Sequence, residues 1–230
     1  GAYSYTVTDA NGNTAVTSGN VAQPSALTTT SSAGSINCNG GSTNVSISAN
    51  GGTAPYSING TGITASTPMT NGNGSYSVVA GPYSYTVTDA NGCKSVVSGT
   101  MTQPTVLTAN SSAGTILGNG LTTTVSISAI GGTAPYTGAG TFTVGAGPYS
   151  FTVTDANGCT TVVTGTLGQP NLLVAASSHN SVICNGGTAT VAVTATGGVG
   201  PYTGTGVYTV TAGAYSYTVT DANGNTAVTS

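Results

Sequence analysis

Arginine, glutamate and tryptophan do not occur in this sequence, and lysine occurs once, as Lys94. Charged residues are 2 % of the chain, where ordinary soluble domains carry about a quarter. Solubility must therefore rest on Ser, Thr, Asn and exposed backbone. A formal net charge of −3 leaves no basic surface for phosphates, because counterion release needs several Lys or Arg. Nucleic acid and anionic lipid are accordingly not expected as partners. No apolar run approaches the roughly 20 residues that cross a bilayer, so no membrane insertion is expected of this segment. Nor does a charged stretch followed by an apolar one open the chain, as a secretion signal would. With one His, His179, and one Lys, no Ser-His-Asp or Cys-His arrangement can recur. An enzyme is not expected, and neither is a cofactor or a metal centre.

What is present is repetition. Val and Tyr alternate with Ser and Thr over short runs bounded by Gly, Asn and Pro, the pattern of half-buried strands, and no segment has helical periodicity. The phrase Tyr3-Ser4-Tyr5-Thr6-Val7-Thr8-Asp9 returns in the same register at Tyr83, at Tyr149 (with Phe151 in its third place) and at Tyr215, at spacings of 80, 66 and 66 residues. Gln23-Pro24, Gln103-Pro104 and Gln169-Pro170 keep step, as do Pro55-Tyr56, Pro135-Tyr136 and Pro201-Tyr202. Fixed periods of this kind mean an array of like units, each leaning on its neighbours. The longer first period comes from a Gly-, Asn- and Thr-rich insertion, Ile58 to Ser75, read as a longer loop or an added hairpin. Residues 1–18 are identical to residues 213–230. From this a three-unit super-repeat is expected to continue in both directions, with any export signal, anchor or binding tip outside.

With Gln-Pro as the closing border, the units are 25–104, 105–170 and 171–230 (the last truncated at its C-terminal end), preceded by the tail of another at 1–24. The fold expected is all-β: tandem immunoglobulin-like β-sandwich repeats in an elongated array, with turn signals every 8 to 12 residues. In the second unit the strands expected are Val106 to Asn110, Thr123 to Ala129, a short piece near Tyr136, Phe142 to Val144, Tyr149 to Thr154 and Cys159 to Thr166. Tyr149, Phe151 and Val153 should face inward and Ser150, Thr152 and Thr154 outward. Asp155-Ala156-Asn157-Gly158 carries the Asn-Gly of a tight hairpin turn with positive φ. Units this small, filled mostly by Val and Ala, bury little apolar surface, so neighbours or covalent staples should be needed.

Cysteine occupies two kinds of position. One is early, in Cys-Asn-Gly-Gly (Cys38, Cys184); the other is late, after the hairpin turn (Cys93, Cys159). The early place is Gly118 in the second unit, and the late one is Asn225 in the third. Disulfides are expected rather than a metal site, since no further Cys or His sits at ligand spacing. Two pairings are open. A bridge inside each unit joins Cys38 to Cys93 but strands Cys159 and Cys184. A bridge from the early Cys of one unit to the late Cys of the next joins Cys38 to Cys159, sets Gly118 against Asn225, and leaves Cys184 for the Cys93 equivalent of a following super-repeat, so that each loss is matched by a loss.

The remaining candidates are sparse. Asp9, Asp89, Asp155 and Asp221 hold one place in one turn. A carboxylate there has the chemistry of a calcium ligand, but calcium takes six to eight oxygens; the competing reading is an Asp bonded to the amides of its own turn. His179 reads as an exposed loop residue and Lys94 as a surface residue, isopeptide formation being the alternative for Lys94. Gly-rich phrases such as Cys38-Asn39-Gly40-Gly41 and Asn50-Gly51-Gly52 read as turns, because no helix follows to meet a phosphate. The paired Tyr read as core, with a sugar-binding face as the alternative. Asn44, Asn59, Asn73 and Asn110 stand in glycosylation sequons.

The order of motifs, an early Cys with a Gly-rich turn, Gly-Gly-x-x-Pro-Tyr, Tyr-x-Tyr/Phe-x-Val-x-Asp, Asp-x-x-Gly-Cys and a closing Gln-Pro, resembles the SprB-type repeat of giant surface adhesins in gliding Bacteroidota. It does so three times over, across nearly the whole chain. The resemblance implies sandwich domains in very long, secreted, surface-anchored filaments that move along the cell and attach it to surfaces, exported by the type IX route. The chain departs from that pattern in lacking a Trp after Pro-Tyr and in losing one Cys in each of two units. Two functions follow as expectations: a structural stalk of an extracellular cell-surface filament or adhesin, whose partners are neighbouring repeat domains; or an array of carbohydrate-binding modules for surface glycans, with the insertion as its variable loop.

Overall fold

The computed structural model describes residues 1–63 and 65–230. Thr64, which falls in the Ile58 to Ser75 insertion, lies outside the described residues. Every strand pairing is antiparallel, and there is no helix among the described residues. The chain divides into two compact units, Gly1–Thr105 and Val106–Ser230.

The first unit opens with a hairpin of β1 (Ala2–Thr8) and β2 (Thr14–Asn20). Then come β3 (Thr28–Ala33), β4 (Ser42–Asn50), β5 (Ser57–Gly60), β6 (Thr67–Pro68), β7 (Asn73–Val79), β8 (Gly81–Thr88) and β9 (Lys94–Met101). They form one sheet in the order β3-β4-β7 and a second in the order β6-β5-β8-β9. Period-2 patterning explains the layering. Val45 and Ile47 on β4 and Tyr83, Tyr85 and Val87 on β8 point into a shared core with Ile58, Met69 and Val78, while Ser46, Ser48 and Ser84 face solvent.

The second unit repeats the plan twice. Strands β10 (Thr108–Ala113), β11 (Thr123–Ile130) and β12 (Gly140–Val144) form a three-stranded sheet, and β13 (Gly147–Thr154) with β14 (Thr160–Leu167) form a hairpin. Likewise β15 (Val174–His179), β16 (Thr188–Thr196) and β17 (Gly206–Thr211) form a sheet, and β18 (Tyr217–Thr220) with β19 (Thr226–Thr229) a hairpin. One core gathers Val125, Ile127 and Val153, with Phe142 stacked on Phe151 at 4.4 Å between ring centroids; the other gathers Val191, Val193 and Val219, with Tyr208 stacked on Tyr217 at 4.3 Å. The paired aromatics of these strands thus lie within or against the cores.

Register explains one recurrent Gly. Tyr83 pairs with Gly99 and Tyr149 with Gly165. In each pair the Tyr ring lies over the bare glycine, where an added Cβ would collide with it. Each phenol also reaches the facing sheet: Tyr83 Oη lies 3.3 Å from Ser31 Oγ and Tyr149 Oη 3.0 Å from Ser111 Oγ.

Three details differ from the sequence expectations. The first strand of the second unit starts at Thr108, two residues late, and runs on to Ala113. Leu107, just before it, is buried beside Gly132. His179 ends strand β15, opposite Val191, rather than lying in a loop, although it is exposed as expected. The insertion turns an isolated bridge into a strand: Thr137 bridges Thr154 and Thr203 bridges Thr220, whereas at the matching place β5 pairs along β8 and carries β6 on its outer side.

Candidate functional site: the Asp turn, the glycine turn and the junction

Each late turn is built on its Asp. Asp155 Oδ1 accepts from the amides of Asn157 and Cys159, both at 2.9 Å, and its Oδ2 accepts from the Thr133 amide at 2.9 Å. Asp89 accepts in the same way from Asn91, Cys93 and Thr53, and Asp221 from Asn223, Asn225 and Val199. These three carboxylates are buried. At Asp89 and Asp155 burial pushes the carboxyl pKa up, but the three amides outweigh it and the net shift is downward. At Asp221 the Asn225 side chain is the main cause of a downward shift. Asp9 holds its turn through Asn11 and Asn13 but receives no amide from a glycine turn, and it stands exposed.

The turn is not the two-residue hairpin read from Asn-Gly. In Asp155-Ala156-Asn157-Gly158 only Gly158 has positive φ, and its amide donates to Asp155 O at 3.1 Å. The carboxylate gathers the amides of Asn157 and Cys159, so a five-residue loop replaces the tighter form, in which both central residues need positive φ.

The Gly-Gly-x-x-Pro-Tyr phrase is the other half of the same structure. Its second glycine has positive φ and abuts the carboxylate: a Cβ on Gly132 would stand 2.6 Å from Asp155 Oδ2, and one on Gly198 2.7 Å from Asp221 Oδ2. The Tyr closes the loop, with Tyr136 Oη donating to Gly131 O at 2.6 Å and Tyr56 Oη to Gly51 O at 2.7 Å. Motifs some 20 to 40 residues apart in sequence are therefore one lock, whose oxygens are filled by backbone donors rather than turned outward as a cation site would need. Among the described residues no group of three or more His, Cys, Asp or Glu is placed to hold a metal.

The early turn is held by the closing phrase of its own repeat. Gly40 N donates to Gln103 Oε1 at 2.8 Å, and Asn39 Nδ2 to Pro104 O at 2.9 Å. Gly120 N and Asn119 Nδ2 do the same with Gln169 and Pro170. In the second unit this early turn also meets the late turn of the repeat that follows. Leu117 O accepts from Asn223 Nδ2 at 2.8 Å and from Asn225 Nδ2 at 2.9 Å, and a Cβ on Gly118 would run into the Asn225 side chain. Asn223 is free to reach across because Val199 lacks the hydroxyl that Thr133 offers to Asn157. This junction hangs on Asn side chains that sequence reading passed over as turn formers.

Cys38 and Cys159 are each disulfide-bonded, while Cys93 and Cys184 are free thiols, both exposed. Lys94 opens β9 on the surface, and Asn44, Asn59, Asn73 and Asn110 are all exposed. A groove of about 600 Å³ is lined by Ser31, Ser46, Ser48, Thr70, Asn73 and Ser75, so the insertion contributes one of its walls.

No protein-family model and no curated protein matches the chain. Among solved structures it is similar to one from work on host cell surface retention of a 1.5-MDa bacterial ice-binding adhesin, at 18 % identity and a TM-score of 0.29, with 88 % of this chain and 95 % of that one covered.

Proposed function

We propose that the chain is a non-enzymatic stalk segment of an extracellular cell-surface filament or adhesin of the SprB type, built of tandem immunoglobulin-like sandwiches that brace one another. One observation carries the reading. The early turn of one repeat meets the late turn of the next, Gly118 against Asn225, with Leu117 O bonded to Asn223 and Asn225. Applied one repeat earlier, the same register pairs Cys38 with Cys159, the two cysteines in the disulfide state. Stacked repeats with a covalent clamp at two of every three junctions suit a fibre under tension, because a disulfide resists separation where a small interface yields. The partners are then neighbouring repeats, and an oxidising extracellular setting agrees with a structural disulfide.

Stretching single oxidised and reduced molecules tests this. A Cys38–Cys159 bridge hides the chain between those residues, so reduction is expected to lengthen the unfolded chain by about 400 Å at roughly 3.4 Å per residue. A gain of about 190 Å would mean a Cys38–Cys93 bridge on the same scale, and no gain would mean no bridge; either result refutes the clamp.

A second reading, an array of carbohydrate-binding modules, draws on the hydroxyl-lined groove beside the insertion. A glycan array without hits removes it.

A further inference from the structure

Asn-Gly recurs along the whole sequence. It is the dipeptide in which a backbone nitrogen most readily attacks the preceding side-chain amide, because glycine has no Cβ to block the approach. In the late turns the glycine nitrogen is occupied: Gly92 N donates to Asp89 O at 3.0 Å and Gly158 N to Asp155 O at 3.1 Å. The Asn side chains there are tied as well, Asn91 Nδ2 donating to Thr53 Oγ1 and Asn157 Nδ2 to Thr133 Oγ1, both at 2.9 Å. In the early turns Gly40 N and Gly120 N donate to Gln103 Oε1 and Gln169 Oε1, both at 2.8 Å.

Asn59-Gly60, at the end of β5, is arranged the other way. Gly60 N donates to Oδ1 of Asn59 itself at 2.8 Å, so the nitrogen already lies against the amide whose carbon it would attack. The fold holds this arrangement from both sides. Ile58 is fully buried and pairs with Val87. Thr61 is tied to Ser84, its N donating to Ser84 O at 3.0 Å and its Oγ1 accepting from Ser84 N at 2.9 Å. Gly60 has a φ of +151°, and a Cβ there would collide with Ser84 O and the Tyr85 ring. The backbone thus requires the one residue that leaves its nitrogen unshielded, and Asn59 is exposed to water.

We infer that Asn59 is a site of self-modification, cyclising with the Gly60 nitrogen and opening to aspartate and isoaspartate. Hydroxide takes the Gly60 N–H proton, and the nitrogen bonds to Asn59 Cγ. The Cγ–Nδ2 bond breaks, and Nδ2 leaves as ammonia with a proton from water. Water then adds to one of the two carbonyls of the five-membered imide and breaks its bond to nitrogen. Opening at Cγ gives aspartate, and opening at the backbone carbonyl gives isoaspartate. The sum is one amide and one water converted to one carboxylic acid and one ammonia, with no change of oxidation state.

The change belongs to the first repeat alone, since no Asn follows Thr137 or Thr203, the bridge residues at the matching place in the other two. Asn59 lines a groove of about 510 Å³ with Ser84, Thr86, Thr88 and Lys94, the only lysine of the chain. The new carboxylate therefore joins the lone cation in that groove. Isoaspartate also adds a methylene to the backbone between Ile58 and the Thr61 clasp, and either product removes the Asn59 glycosylation acceptor. No neighbouring repeat takes part, so the reaction does not depend on the stacked-array reading.

Peptide mapping of the full chain, held at physiological temperature either folded or in guanidinium chloride, tests this. In the folded chain the Asn59 peptide is expected to deamidate at least about tenfold faster than those of Asn91, Asn119 and Asn157, a small share of what near-attack geometry supplies. The rate should rise with pH, because the nitrogen reacts deprotonated. Both aspartate and isoaspartate are expected, the latter read by isoaspartyl methyltransferase labelling, and Asn59→Gln should abolish the early ammonia release. In guanidinium chloride the four sites should react at similar rates. An Asn59 that stays intact, that is no faster than the clasped Asn residues, or that gives aspartate without isoaspartate overturns the inference. So does an unfolded chain in which Asn59 keeps its lead, since the lead would then come from sequence and not from the fold.

Discussion

Tyr85 has no exposed surface, and its hydroxyl is the one buried side-chain polar atom without a hydrogen-bond partner among the described residues. Burial, with the neighbouring phenols Tyr76 and Tyr83, pushes its pKa up. A buried hydroxyl without a partner costs about 1–3 kcal/mol of desolvation. The second repeat avoids that cost, since Phe151 holds the same place. Tyr85→Phe is therefore expected to stabilise the chain by about 1 kcal/mol, read as a higher urea midpoint at unchanged slope. A lower midpoint would mean that the hydroxyl has a partner in solution.

The Asp turn sets the pH behaviour of the elements it joins. Asp89, Asp155 and Asp221 have folded pKa values below the ordinary 3.8. Between the folded and unfolded values the unfolded chain therefore binds more protons, and stability falls as pH falls. The contribution is fully present above the unfolded value of 3.8 and is lost as the pH drops through the lower folded values. Thermal melts from pH 6 downward should show a plateau and then an acid decline. The triple variant Asp89→Asn/Asp155→Asn/Asp221→Asn should melt lower at pH 6, because each amide NH2 faces backbone N–H donors, and should lose most of the acid decline. An equally steep decline in the variant would place the sensitive groups elsewhere.

At this scale strand content and direction were legible in the sequence, because alternation writes the inward face directly: Tyr149, Phe151 and Val153 turn inward as spaced. The coupling of Gly132, Tyr136 and Asp155 into one lock was not, since it depends on a close approach between segments that periodicity does not link. The turn type was misread for a related reason. The bonding of the Asp to the amides of its own turn was legible, but not that gathering those of Asn157 and Cys159 opens the loop to five residues.

For the whole molecule, the matching of lost cysteines, Gly118 with Asn225, was visible in the sequence as a pattern, and the two residues do touch. The Asn side chains on Leu117 O and the Gln-Pro clasps were not legible, because Asn, Gln and Pro at surface turns carry no periodic signal. In the proposed array the early turn of each repeat is braced by the late turn of the next, as Gly118 is by Asn225. Non-reducing peptide mapping of the oxidised monomer tests it most directly. One linked pair, Cys38–Cys159, is expected, with Cys93 and Cys184 taking up a thiol label; a Cys38–Cys93 pair would contradict the claim.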